Sequence, residues 1–433
     1  MRNPDKFIIT KLNSELMGVA TKNNKPLIVR GALPDEEVTL INVGKKKGVL
    51  KGQADIVDNH NTLRIKPKCL HSSICGGCGL QHISTNTQLE LKQKFIAEEF
   101  AEFANLHDIK FNSPINAEPW GYRRKARLGV KYVHKKDTFL VGFREFNSIF
   151  LADIKSCNII APKVGHKLIY LRELIAKLSC NKKIPQIEVT AADNATALLI
   201  RHLTDFNDDD IKLIQEFGKE HDFIIYLQPN SYENSYQIYP NIKTELYYDI
   251  PKHKLRMFFK VYDFIQVNRE INLKLIDKAI DYLELDENDN VLEGFCGIGN
   301  FSLPFAKYAK SVTAIEYSES LLDDAAKNSA HNKITNINFV ADDLYNCKKN
   351  KSYSTNHNKL FLDPPRSGAG PWLDLALACK PSIIVYVSCN STTLAKDTKV
   401  IIDAGYELKN IALADMFPHT SHVETIAQFK LKG

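Results

Sequence analysis

The chain lacks any apolar run approaching the ~18 residues that a membrane helix needs, and it does not open on a basic-then-apolar segment. Neither a helical membrane protein nor a secreted one is expected, so the expected location is cytoplasmic. Internal repeats and low-complexity tracts are also missing, which argues against solenoids and disordered arrays. Cysteine is sparse and odd in number, with nine among 433 residues. Without a secretion signal, such a count fits metal binding or catalysis better than disulfides. Excess charge is small, a net +6, beside an ordinary 44% hydrophobic and 25% charged content. The length implies two or three soluble domains.

That small excess is unevenly placed. Residues 1–136 hold 23 Lys and Arg against 13 Asp and Glu, whereas the remainder hold 34 against 38. A basic front on a near-neutral body suggests a polyanion partner, with a merely solvated surface as the plainer alternative. Short alternating segments between Asn, Gly and Pro turns predict a β module over residues 7–64. Lys45-Lys46-Lys47, with Lys51 close behind, put cations on a hairpin, and small barrels with basic loops commonly bind oligonucleotides. Trp120-Gly-Tyr-Arg-Arg-Lys-Ala-Arg127 interleaves aromatics with cations. It suits base stacking plus phosphate contact about as well as a strand with a solvated basic face.

Four of the cysteines invite a metal. Cys69, Cys75 and Cys78 are spaced by six and three residues, with Gly76 and Gly77 letting the backbone wrap closely. A fourth ligand is needed, and Cys157 is the best candidate, while His71 and His82 suit a zinc reading. Four thiolates serve zinc or a [4Fe–4S] cluster, and spacing alone does not separate them. A helix follows over 87–106, and from about 130 to 260 short apolar runs predict an antiparallel sheet with one or two helices.

Near residue 262 the pattern changes to alternating β and α segments. The last of the buried strands, Ile383-Ile-Val-Tyr-Val, stops at Ser388-Cys389-Asn390, and Ser391-Thr392-Thr393 offers N-cap chemistry for a helix. Cys389 therefore sits at the carboxyl end of a strand, where open α/β sheets hold ligands, and before a helix N-terminus that favours thiolate. Taken alone it would equally be a buried core cysteine. Upstream, Glu293-Gly-Phe-Cys-Gly-Ile-Gly-Asn300 reads as strand, glycine turn and helix. Ser302 stands where a dinucleotide fingerprint has its third glycine, and the turn instead matches motif I of class I S-adenosylmethionine methyltransferases. The next strand ends in Glu316, placed to grip a ribose diol, and a third runs into Asp342-Asp343. Asp363-Pro-Pro-Arg366 ends the fourth. Amino-directed methyltransferases place an aromatic after the two prolines, so Arg366 together with Ser388-Cys389-Asn390 points to carbon methylation. Carbon-5 of uracil is a poor nucleophile, and a thiolate adding at carbon-6 activates it. The carbon-5 proton then needs a base, for which Glu424 in His422-Val-Glu-Thr425 is the candidate.

These motifs, with Phe264-Ile-Gln266-Val-Asn268, resemble the RNA uracil-5-methyltransferase family over nearly the whole chain, specifically its 23S rRNA branch. The resemblance implies a TRAM RNA-binding barrel over 1–65, a central α+β domain over 66–262, and a Rossmann-like class I methyltransferase domain over 263–433. It implies a [4Fe–4S] cluster on Cys69, Cys75, Cys78 and Cys157. S-adenosylmethionine would be held by Gln266, Phe295, Asn300, Glu316, Asp343 and Asp363, with Cys389 as nucleophile and Glu424 as base. The implied substrate is a uridine flipped out of 23S rRNA, with no membrane and no obligate protein partner, the enzyme being a monomer. A tRNA-directed relative and a non-catalytic RNA-binding iron–sulfur assembly factor are the alternatives. Two positions depart from the family: Glu293-Gly294 replaces a usual Asp-Leu, and Asp343 stands where Asn is frequent.

Overall fold

The computed structural model describes residues 5–46, 48–346 and 356–433, with Lys46 as backbone only. Lys47, part of the expected basic loop, lies outside the described residues, as does Cys347. Among the described residues no helix is long and apolar enough to cross a membrane.

At the N-terminal end, six strands within residues 7–58 form one sheet. Its two end strands, Phe7–Ile8 and Lys11–Leu12, follow one another in the chain, so the sheet closes on itself as a barrel. Ile9, Ala20, Leu27, Val29 and Val38 fill its interior. A second six-stranded sheet, over residues 125–239, has a core of its own that includes Cys157. It is not wholly antiparallel, contrary to expectation. Thr196–Arg201 pairs parallel with Ile224–Gln228 because the intervening helix Asp208–His221, capped by Asn207, supplies the crossover that parallel pairing requires.

The C-terminal sheet has seven strands: β1 (Asn290–Gly294), β2 (Ser311–Glu316), β3 (Ile337–Ala341), β4 (Lys359–Leu362), β5 (Ile383–Ser388), β6 (Tyr406–Ala414) and β7 (Glu424–Leu431). Their order is β3-β2-β1-β4-β5-β7-β6. The first five run parallel, and β7 lies antiparallel between β5 and β6. Every residue of β5 is buried, as its unbroken apolar run requires of a strand covered on both faces. Because β7 is reversed, its first residue, Glu424, lies at the sheet edge where β1 to β5 end, and Thr425 pairs with Ser388.

The helix Thr85–Ala104 begins where the Ser84 side chain accepts from Thr87 N, and ends at Asn105 in the left-handed region. Leu89, Ile96 and Phe100, at helical spacing, pack with Leu394, Ala395 and Phe429 of the C-terminal sheet and its covering helix. On the same face Lys92 makes a 2.8 Å ion pair with Asp415, both side chains at most 5% exposed. Lys92→Met is expected to strand a buried carboxylate and cost about 3–5 kcal/mol, read as a lowered urea midpoint with an unchanged slope.

Candidate active site and cysteine pocket

A cleft of about 820 Å³ opens at the carboxyl edge of the C-terminal sheet, where ligands of open α/β sheets bind. Gln266, Phe295, Asn300, Glu316, Asp343, Asp363, Cys389 and Glu424 all line it, although they come from widely separated parts of the sequence. The strand ends explain the convergence. β1 delivers the glycine turn, β2 ends at Glu316, β4 stops one residue before Asp363, and β5 stops one before Cys389.

The turn after β1 is built for close approach. Phe295, Gly297 and Gly299 have φ of 66°, 54° and 89°, and a Cβ at Gly297 would meet nothing within 4 Å. The Gly297 N–H donates to Glu316 Oε2 (3.1 Å), while Glu316 Oε1 accepts from the N–H groups of Tyr317 and Ser318. Asp343 accepts from the Tyr345 and Asn346 N–H groups and from the Asn346 amide, which holds its carboxyl below the ordinary range. The Asn300 side chain is engaged with Asn272 and the Tyr248 hydroxyl. The departure at Gly294 has a steric counterpart. A Cβ there would lie 2.5 Å from the Trp372 ring, so the fully buried indole fills the space a side chain would need.

The carboxyl groups of the cleft are desolvated, and burial raises their proton affinity. Burial raises Glu293 to about 8, with Asp363 and Glu316 adding to the shift, and Glu293 Oε2 is buried without a partner. Burial likewise raises Asp363 to about 7, and burial plus Asp363 raise Glu424 well above the ordinary carboxylate range. S-adenosylmethionine carries a sulfonium and an ammonium, and an uncrowded glycine turn beside desolvated carboxylates fits such a ligand.

A helix does follow Cys389, at Ser391–Asp403, but Ser391 to Thr393 do not supply its N-cap. The N-cap of helix Ser391–Asp403 is Asn390, whose side chain makes no cap bond and donates instead to Arg366 O (2.9 Å). Burial, then Glu424 and Asp363, push the thiol up to about 11, against which Arg366 acts only weakly. A dipole at one helix end does not offset desolvation beside two carboxyl groups. Alkylation of Cys389 in the ligand-free protein is therefore expected to rise about tenfold per pH unit from neutrality and level off near 11. Added S-adenosylmethionine should lower that midpoint, as followed by mass spectrometry of the Cys389 peptide.

Two groups in the cleft were not assigned a role from sequence. Phe264 is 72% exposed and lines the cleft beside Gln266, and Phe417 lines it next to the loop that precedes Glu424. Phe264 could have been found from its place two positions before Gln266.

The other cysteines also converge. Cys69, Cys75, Cys78 and Cys157 line one small pocket with His71 and Gln81, whereas His82 does not. Burial raises Cys78 to about 12 and Cys157 to about 11, and neighbouring thiols add to both. Arg30, reaching from the barrel, donates to the Cys75 and Cys78 carbonyls. Among the described residues no three His, Cys, Asp or Glu side chains converge on a single-ion site.

The aromatic-basic run, by contrast, is mostly turned inward. Arg124 is buried against Asp193 (2.5 Å), Lys125 donates to Asp263 O, and Trp120 stacks on His419 at 4.1 Å. Arg127 is exposed and paired with Glu188, and Arg123 is half-buried with its Nε–H on Lys125 O. The run joins the central sheet to the segment carrying Gln266 through the Arg124 N–H bond to Val267 O.

The profile of the tRNA (uracil-5-)-methyltransferase family matches residues 84–430. The chain belongs to that family. Among family relatives, the 23S rRNA (uracil(1939)-C(5))-methyltransferase RlmD of Alkalilimnicola ehrlichii is 38% identical, covering 99% of this chain and 97% of its own. The protein of the same name from Nitrosococcus oceani is 40% identical, covering 99% and 96%. The crystal structure of the Pyrococcus abyssi tRNA (uracil-54, C5)-methyltransferase in complex with S-adenosyl-L-homocysteine matches with a TM-score of 0.75 at 23% identity, covering 98% and 99%. The C-terminal sheet of this family member is thus a class I methyltransferase fold.

Proposed function

We propose that this protein transfers a methyl group from S-adenosylmethionine to carbon-5 of a uridine in 23S rRNA. The observation that carries the reading is the meeting of Cys389, Glu424 and Asp363 in one cleft with a glycine turn suited to a cationic cosubstrate. Full-length relatives at 38–40% identity bear the 23S rRNA name, which supports rRNA over tRNA. S-adenosylmethionine supplies an electrophilic methyl. The residues do the rest. Glu316 would hold the ribose diol, Asp343 would accept from the adenine amine, and the Phe295 to Asn300 turn would admit the methionine part. The Cys389 thiol loses its proton to solvent and Sγ adds to carbon-6 of the flipped uracil, carbon-5 takes the methyl as the donor leaves as a neutral thioether, and Glu424 removes the carbon-5 proton as the S–C bond breaks and the thiolate is released.

The division into residues 1–65, 66–262 and 263–433 is part of this proposal. The closed barrel serves as the TRAM unit, with Lys45 exposed on its hairpin, while Lys51 is engaged by Glu15 at 3.2 Å. The four clustered thiols would hold a [4Fe–4S] group in a structural role, since methyl transfer moves no net electrons. A cubane takes one cysteine per iron, and the support for it is that the four thiols share one pocket. Anaerobically purified protein is expected to be brown and to bleach with dithionite. A colourless protein carrying one zinc would overturn the cluster.

The deciding experiment incubates the protein with unmodified 23S rRNA and labelled S-adenosylmethionine, then maps the label by mass spectrometry. A single 5-methyluridine is expected. Label in tRNA alone, or on a base other than uracil, would refute the reading.

A further inference from the structure

Glu424 is the first residue of β7, and the loop before it, residues 415–423, must fix where its carboxylate points. That loop is held from outside the methyltransferase sheet. Leu80, two residues after Cys78, donates its N–H to His419 O at 3.0 Å. Gln88, fully buried near the start of helix Thr85–Ala104, accepts from the His419 N–H at 2.9 Å. Its amide nitrogen donates to the carbonyls of Leu80 and Ile83, both at 3.1 Å, and lies 3.4 Å from His419 Nδ1. One side chain thus ties the segment leaving the cysteine pocket to the segment entering the catalytic strand.

His419 needs such a tie. Its φ of 66° is a left-handed conformation that a non-glycine residue keeps only when its surroundings impose it. Trp120 stacks on its ring, the Tyr122 hydroxyl donates to Pro418 O at 3.2 Å, and Lys92 pins Asp415 at the loop's other end. Removing the Gln88 amide would orphan the His419 N–H and the Ile83 carbonyl in a buried site, while Leu80 O keeps the Ile83 N–H, so the loop would have a reason to move.

We propose that Gln88 is a positioning residue for the proton-removal step, acting through His419 to hold the loop that aims Glu424. This rests on the proposed role of Glu424 as base. It predicts a selective defect: thiol addition and methyl transfer use Cys389, just past the end of β5, which the tie does not touch, whereas release of product needs Glu424.

The test uses the full chain, an rRNA fragment containing the modified site, and labelled S-adenosylmethionine in single turnover. Denaturing gels separate covalent protein–RNA adduct from free methylated RNA. Gln88→Leu is expected to form labelled adduct at nearly the normal rate and to release product about 10- to 100-fold more slowly, with cosubstrate affinity unchanged. Gln88→Glu, which keeps the acceptor for the His419 N–H, should release product faster than Gln88→Leu. If Gln88→Leu does not fold, His419→Gly loosens the same loop without a strained residue, and it should accumulate adduct too. Parallel loss of methylation and release, or normal release in the folded variants, would overturn the proposal. Glu424→Gln serves as the control. Failure of that variant to trap adduct removes the base assignment itself, whereas trapping there without accumulation in the Gln88 and His419 variants removes only the positioning role.

Discussion

Cys389→Ala is expected to lower turnover by at least about 10,000-fold while leaving S-adenosylmethionine affinity within about twofold, the signature of a lost covalent nucleophile. The sulfur lies at the end of β5, and the glycine turn and Glu316 that would hold the cosubstrate come from β1 and β2. Alanine therefore removes the attacking atom without disturbing the strands that bind the donor. Carbon-5 of uracil without a nucleophile at carbon-6 is too electron-poor to take a methyl group at a useful rate. Cys389→Ser sharpens the test, because a hydroxyl of similar size is a far weaker nucleophile at neutral pH and should be nearly as inactive. Isothermal titration with S-adenosylmethionine and a labelled-methyl assay on rRNA together check the result. Residual activity within tenfold of the parent would show that the ring is not activated through this sulfur.

The edge of the methyltransferase sheet was the most legible part of the sequence. Buried parallel strands announce themselves by unbroken apolar runs, and the residue after each run falls at the ligand edge by geometry alone. Glu316, Asp363 and Cys389 could be read in that way. Contacts across long sequence separations were not legible. Nothing in Trp120 to Arg127 distinguishes cations that face RNA from cations that clamp Asp193, Glu188 and the Asp263 carbonyl, because those partners lie more than 60 residues away. The same holds for helix Thr85–Ala104. Its amphipathic face was evident, but not that Leu89, Ile96 and Phe100 would pack on the C-terminal sheet. The groups that raise the Cys389 thiol were hidden for a related reason. The following helix is local and visible, whereas Glu424 and Asp363, which raise the thiol, arrive from other strands.

Those two carboxyl groups also explain why Glu424→Gln should trap the enzyme on its RNA rather than silence it. Glutamine keeps the shape of the side chain at the start of β7 and removes its ability to take a proton. Cys389 can still add and the ring can still be methylated, so a labelled adduct stable to denaturation is expected, with free product formed at least about 100-fold more slowly. The electrostatics favour the timing. Glu424 is desolvated beside Asp363, which raises its proton affinity. Before methyl transfer it would face a cation that draws it toward the ionised form. Afterwards the sulfonium charge is gone and only the more distant ammonium remains, so the carboxylate becomes a stronger base just when the carbon-5 proton must leave. Because Gln carries no charge, the variant should also leave the Cys389 thiol lower than in the parent, since Glu424 is one of the groups raising it. Adduct formation in Glu424→Gln should thus be no slower than in the parent, and its pH midpoint should move down. An adduct that forms slowly, or free 5-methyluridine appearing at the parent rate, would assign proton removal to some other group.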